Sequence, residues 1–379
     1  MISKRTQEMS SFIVMDVLER ASELEARGHH IIHLEVGEPD FDTPACVKTE
    51  VCRALEQGYT HYTHSLGMIE LRRAICDHYR ERYGATVDPG QVVVTSGTSP
   101  AIFLLFSTLL EPGDEVIIAN PHYACYPNFI RFVQGRVVEV PVYEEDGFQL
   151  RPEDIEKKIT PRTRAIFINS PSNPTGNLLS AERMRAITEL GPMVVSDEIY
   201  HGLVYEGRER SILEFTERAF VLNGFSKLYA MTGLRLGYLI APPEFIRPIQ
   251  KVQQNFFISA NAVIQRAGIT ALTLAHDDVR RMKETYDERR RFMVKRLREL
   301  GLGITVEPTG AFYVFANVRH ISDDSYKLAF DILEKAHLGV TPGIDFGSNG
   351  EGYLRFSYAS SMDNIREGLI RLERYLDSR

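Results

Sequence analysis

An amine, a hydroxyl and a guanidinium fall close together in the run Asn223-Gly224-Phe225-Ser226-Lys227-Leu228-Tyr229-Ala230-Met231-Thr232-Gly233-Leu234-Arg235-Leu236-Gly237-Tyr238. Lys227 can form a Schiff base only if its amine is held against a carbonyl and loses its proton, which desolvation or a neighbouring cation such as Arg235 arranges. Ser226 and Arg235 offer donors suited to a phosphate dianion, and the flanking glycines let the backbone come close. An aldehyde that also carries a phosphate would need both sets of groups. Read alone, the same segment also fits a solvated surface lysine.

The elements that must position these groups read as an α/β layer. Short β-branched runs at Val92-Val93-Val94, 115–119, 136–142, 165–169, 193–196, 219–223 and 237–241 alternate with helical segments such as 100–110 and 181–190. The pattern predicts about seven mostly parallel strands in a three-layer large domain. After Pro248 the chain turns helical and charged, with a long amphipathic helix over 279–300. Strand signals return at 311–317 and 353–358, and a last helix covers 362–376. These predict a small α+β domain. The expected division is an arm with part of the small domain at 1–43, a large domain at 44–280 and a small domain at 281–379.

In an open α/β sheet, ligands bind beyond the carboxyl ends of the strands. The residues after each strand run form a coherent set. Thr95-Ser96-Gly97-Thr98-Ser99-Pro100 opens a helix whose free N–H groups suit a phosphate, or else is a simple capped start. Tyr123 in Asn120-Pro121-His122-Tyr123 could stack on a planar ring or only pack. Asn173, in Ser170-Pro171-Ser172-Asn173-Pro174-Thr175-Gly176, is aimed by a rigid loop or belongs to a plain turn. Asp197 in Asp197-Glu198-Ile199-Tyr200 is costly at the mouth of an apolar strand unless a cation such as a protonated pyridine nitrogen pairs with it; a helix cap or surface acid is the alternative.

Bulk properties narrow the classes. The chain has 379 residues, 44% of them hydrophobic, and a net charge of -7 with mixed signs. It has no basic stripe with interleaved aromatics, so no nucleic-acid partner is expected. Cys46, Cys52, Cys76 and Cys125 are irregularly spaced and suit free thiols in a reducing compartment. Neither a signal core nor a membrane-length apolar stretch is present, which predicts a cytoplasmic protein with no membrane partner. No dinucleotide or Walker-type glycine fingerprint appears. His29, His30 and His33 lack cysteine or carboxylate partners at ligand spacing, so no metal site is expected.

The order of these motifs resembles the class I aminotransferase family of fold-type I pyridoxal-phosphate enzymes over nearly the whole chain. The resemblance implies pyridoxal 5'-phosphate bound through Lys227, with Asp197 keeping the ring nitrogen protonated and Asn173 and Tyr200 on the phenolic oxygen. Tyr123 would stack on the ring. Gly97, Thr98, Ser99, Ser226 and Arg235 would take the phosphate, and Tyr62 would reach the phosphate of a neighbouring subunit, implying a homodimer with shared active sites. Arg355, in Tyr353-Leu354-Arg355-Phe356, matches the arginine that grips the substrate carboxylate. Gly37, in Val36-Gly37-Glu38-Pro39, resembles the glycine whose backbone approaches it. An edge-strand charge and a bare turn are the alternatives for these two.

Transfer of an amino group between an L-amino acid and a 2-oxo acid is the implied activity, with glutamate and 2-oxoglutarate as one pair. Some aspartate-preferring relatives carry a lysine where Ser99 stands, and Ser11-Phe12-Ile13-Val14-Met15 looks like an apolar arm over the site. Both favour neutral or aromatic donors. Leu234 stands where relatives often have an indole. A carbon-sulfur β-lyase on the same scaffold is the runner-up. A regulatory domain fused to a DNA-binding module is a third reading, for which the stretch before Gly37 leaves no room.

Overall fold

The computed structural model describes residues 2–379. In chain order its strands are β1 (Ile32–His33), β2 (Val92–Thr95), β3 (Glu115–Asn120), β4 (Arg136–Pro141), β5 (Thr163–Asn169) and β6 (Met193–Asp197). They continue with β7 (Ala219–Gly224), β8 (Gly237–Ile240), β9 (Tyr313–Asn317), β10 (Leu338–Gly339), β11 (Thr341–Pro342) and β12 (Tyr353–Ser357).

Seven of these form one sheet in the order β2-β8-β7-β6-β5-β3-β4. Pairing is parallel from β7 to β4, while β8 runs antiparallel to both β7 and β2. The central strands are apolar runs because helices cover both faces. Successive side chains alternate between those faces. Ile118, Phe167, Val195 and Phe220 pack with Leu105 and Phe106 of the helix Thr98–Leu109. Their neighbours Ile117, Ile166, Val194 and Val221 join the opposite core with Met184 and Ile187. Each such burial stabilises by about 1.5–3 kcal/mol, so a charge at Val195 would remove the sheet's central support.

The opposite core continues without a break into the C-terminal part, through Val314, Leu338, Phe356 and Leu369. There β11, β12 and β9 form an antiparallel sheet, and β1 pairs in parallel with β10. The helix His276–Glu299 starts before the expected 279 and buries Tyr286, Met293 and Leu297. It carries the chain across residue 280, the expected boundary. The helix after β2 also begins earlier than expected, at Thr98 rather than Pro100. That difference places Thr98 and Ser99 in its first turn.

Candidate functional site

A cavity of about 320 Å³ opens at the carboxyl ends of β5, β6 and β7 and is closed from the other side by β9, β12 and the N-terminal segment. It falls near the lower end of the range of about 300–1,000 Å³ common for small-molecule sites. Thr98, Ser99, Tyr123, Asn173, Asp197, Tyr200, Ser226, Lys227, Arg235, Gly37 and Arg355 all line it. Gly97 lies just beneath, against Arg235. Tyr62 is outside the cavity and 82% exposed.

Asp197 is the last residue of β6, and parallel register sets it beside Asn169, the last residue of β5. Asn169 donates from Nδ2 to the Asp197 carbonyl at 3.0 Å, and its Oδ1 accepts from the Asn173 amide at 2.9 Å. The Asp197 carboxylate is buried and accepts from Tyr126 Oη at 2.6 Å and from the Ile199 amide at 3.1 Å. Desolvation outweighs these donors and pushes its pKa up to about 6. A cationic ring nitrogen is the kind of partner that would restore full ionisation here.

Lys227 follows β7 by three residues and donates from Nζ to the Gly37 carbonyl at 2.6 Å. Desolvation, helped by Arg355 and Arg235 and opposed by Glu38 and Asp197, lowers its pKa to about 8. The amine is therefore neutral in a useful fraction of molecules near physiological pH. Gly97 caps the helix Thr98–Leu109 at φ +101° without a side-chain cap, leaving first-turn N–H groups free. A Cβ at Gly97 would come 2.6 Å from Arg235 Nη2, and one at Gly237 would come 2.8 Å from the Thr98 nitrogen. Backbone amides, a guanidinium and a serine hydroxyl thus converge on a concavity that only glycines leave open, which fits a phosphate.

Arg355 is buried in mid-strand on β12 and lies between the rings of Tyr313, 4.3 Å away, and Phe346, 4.9 Å away. It donates to Asn173 Oδ1 at 2.9 Å, to the Glu35 carbonyl at 2.5 Å and to Thr341 Oγ1 at 3.1 Å, while its Nε has no partner among the described residues. A buried guanidinium with only neutral acceptors suits an incoming carboxylate. A side chain at Gly37 would collide with the Tyr313 hydroxyl, so a glycine is required where the backbone meets Lys227. Tyr313 Oη in turn lies 2.8 Å from Tyr200 Oη.

Tyr126, Asn169 and Tyr313 are site residues that the sequence did not reveal. Tyr126 had a usable signal, since it stands three residues after Tyr123, across the turn that opens the helix Tyr126–Phe132. Tyr313 had none, because only tertiary packing brings β9 to this cleft. One sequence inference is corrected. His33 does have carboxylate neighbours, with Nδ1 2.6 Å from Glu35 and Nε2 3.2 Å from Glu25. β1 carries His33 past the helix holding Glu25, which linear spacing hides; the Glu35 hydrogen bond raises the His33 pKa to about 9.

The chain is similar to known proteins over nearly its whole length. The family described as aminotransferase class I and II matches residues 29–372. The (5-formylfuran-3-yl)methyl phosphate transaminase of Methanocaldococcus jannaschii is 43% identical over 100% of both chains. The aspartate aminotransferase of Pyrococcus horikoshii is 38% identical over 99% of this chain and 97% of its own. A solved structure of a Thermus thermophilus aspartate aminotransferase double mutant superposes with a TM-score of 0.95 at 40% identity, covering 99% of each chain. The chain belongs to the class I and II aminotransferases, the pyridoxal-phosphate enzymes of fold-type I.

Proposed function

We propose that this aminotransferase holds pyridoxal 5'-phosphate through Lys227 and uses it to exchange amino groups between a neutral or aromatic L-amino acid and a 2-oxo acid, with glutamate and 2-oxoglutarate as one pair. The observation that carries this reading is a lysine amine with a lowered pKa facing the same cavity as a buried carboxylate and a buried, carboxylate-free arginine. When bound, the cofactor supplies an electron sink for charge left at the substrate α-carbon.

The protein's own contributions follow from where its groups stand. Arg355 fixes the substrate carboxylate, and with it the orientation of the α-carbon. Lys227, freed when the substrate amine takes its place, takes the α-proton and returns a proton as general acid. Asp197, held by Tyr126 and the Ile199 amide, would keep a negative charge for the cofactor's ring nitrogen. Asn173 and Tyr200 present a side-chain amide and a phenol to the cofactor, and Tyr123 presents a ring face. Ser226, Arg235 and the turn of Gly97, Thr98 and Ser99 hold the phosphate.

Substrate choice rests on the remaining walls. Phe12, Val14, Met15 and Ile102 line the cavity, and Ser99 supplies no cation for a distal carboxylate. The solvent-exposed Tyr62, together with the exposed Phe256 and Ile258, supports a homodimer in which Tyr62 completes a partner's site. Residues 281–379 with the arm 1–43 act as the smaller unit against residues 44–280. The four free cysteines support a reducing, cytoplasmic setting.

A donor panel against 2-oxoglutarate tests the reading by following glutamate. Acceptor-dependent glutamate from phenylalanine, tyrosine or leucine is expected. Release of pyruvate and ammonia from cystathionine or cysteine without any acceptor would instead indicate elimination and overturn it.

A further inference from the structure

The helix Ile13–Ala26 begins without a cap of its own, since Phe12 supplies no side-chain acceptor. Its first N–H groups have no intrahelical partner. They are taken by a residue more than three hundred positions away: Asp345 Oδ1 accepts from the Ile13 amide at 2.9 Å and Oδ2 from the Val14 amide at 3.2 Å. Asp345 is buried, so its carboxylate is committed to this contact rather than to solvent.

The loop that carries Asp345 touches the other walls of the cavity as well. The Phe346 carbonyl accepts from the His122 amide at 2.9 Å, next to Tyr123. The Asn349 amide donates to Asn120 Oδ1 at 3.0 Å, and the Phe346 ring faces Arg355. Phe12, immediately before the capped helix, meets Tyr123 edge to face with ring centroids 5.8 Å apart. One loop thereby sets the register of the arm, of the Tyr123 segment and of the carboxylate-binding arginine.

We propose that Asp345 is a positioning residue for substrate selection: by capping the N-terminal helix from a distance it holds Phe12, Val14 and Met15 as an apolar wall, and so favours donors with large apolar side chains. This rests on the aminotransferase reading of the cavity given above. Asp345 does not line the cavity and acts only through the helix it anchors. Ser10 and Asn128 make a second, exposed attachment of the arm, so loss of Asp345 loosens the wall without releasing it.

The test uses the cofactor-loaded enzyme and three variants: Asp345→Ala, Asp345→Asn and Phe12→Ala. Hydrogen exchange at the Ile13 and Val14 amides should accelerate about ten-fold in Asp345→Ala, the scale of a lost helix cap. The acceleration should be smaller in Asp345→Asn, which keeps one acceptor, and nearly absent in Phe12→Ala. In steady-state assays, KM for phenylalanine or leucine should rise about ten-fold in both Asp345→Ala and Phe12→Ala. The kcat for these donors should fall less than three-fold, and KM for alanine should change less than three-fold. Unchanged exchange at these amides would refute the anchoring. Accelerated exchange with an unaltered donor profile would reduce Asp345 to a structural role and overturn the proposal. A wild type that transfers no amino group would instead overturn the aminotransferase reading, while the exchange measurement would still judge the anchor.

Discussion

On the large-sheet side of the cleft, Asn169, Asp197 and Lys227 come from the ends of three neighbouring parallel strands, β5, β6 and β7. On the opposite side, Phe12 and Gly37 come from one end of the chain and Tyr313 and Arg355 from the other, separated by most of its length. The first half is organised by strand register, and burial sets its charges: Asp197 is pushed up to about 6 and Lys227 down to about 8. The second half is organised by long-range contacts to backbone groups, such as Arg355 on the Glu35 carbonyl. The difference implies that changes on the sheet side alter the chemical step, whereas changes on the other side alter which substrate is held and how tightly.

The sharpest separation should come from Lys227→Ala. Turnover should fall by at least about 10⁴-fold, since the variant loses both the covalent attachment and the general base, with the melting temperature little altered. A mutant with substantial kcat would remove the chemical role from the sheet side.

Asp197→Asn is expected next, with a kcat loss of about 10³-fold, the scale of a lost preorganised electrostatic group. It should also have the opposite effect on stability. The folded-state pKa of Asp197 is raised to about 6 from 3.8, so the cofactor-free fold binds more protons than the unfolded chain between those values. Its contribution to stability therefore declines as pH rises from about 4 through 6, on the order of 3 kcal/mol in all. Cofactor-free Asp197→Asn should gain on wild type across that window in urea melts. A constant difference from pH 4 to 7 would contradict the burial argument.

Across the cleft, Arg355→Lys should raise KM for the amino acid about 100-fold, as a point charge cannot replace the planar fork, while kcat falls less. Equal losses in kcat and kcat/KM would show that Arg355 acts in the chemical step and would blur the two halves. The smallest effect belongs to Lys227 protonation. The rate at which the cofactor-free protein captures pyridoxal phosphate should rise with pH and level off above about 8, where the amine is neutral. A profile still climbing at pH 10 would place the amine in water.

The same contrast explains what could be read without coordinates. Asp197 was legible because a β-branched run ends just before it, and Asn173 because a proline- and glycine-fixed loop follows the strand that ends at Asn169. Arg355 was legible through the motif around it, although its burial between Tyr313 and Phe346 was not. Tyr313 and Asp345 left no local trace, because their roles exist only once β9 and the Gly343–Gly350 loop meet the arm. Tyr126 fell between these cases, three residues beyond one already singled out. His33 shows the reverse error, since Glu25 becomes its neighbour only after a helix folds back on β1, while Glu35 stands two residues further along the same extended segment.

The central claim is that the Lys227 amine, and no other, receives the aldehyde of pyridoxal 5'-phosphate. Borohydride reduction of the loaded enzyme followed by peptide mass spectrometry tests it directly. A single stoichiometric pyridoxyl adduct on Lys227, lost together with visible absorbance in Lys227→Ala, is the expected result. An adduct on another lysine, or none while amino transfer continues, would contradict it.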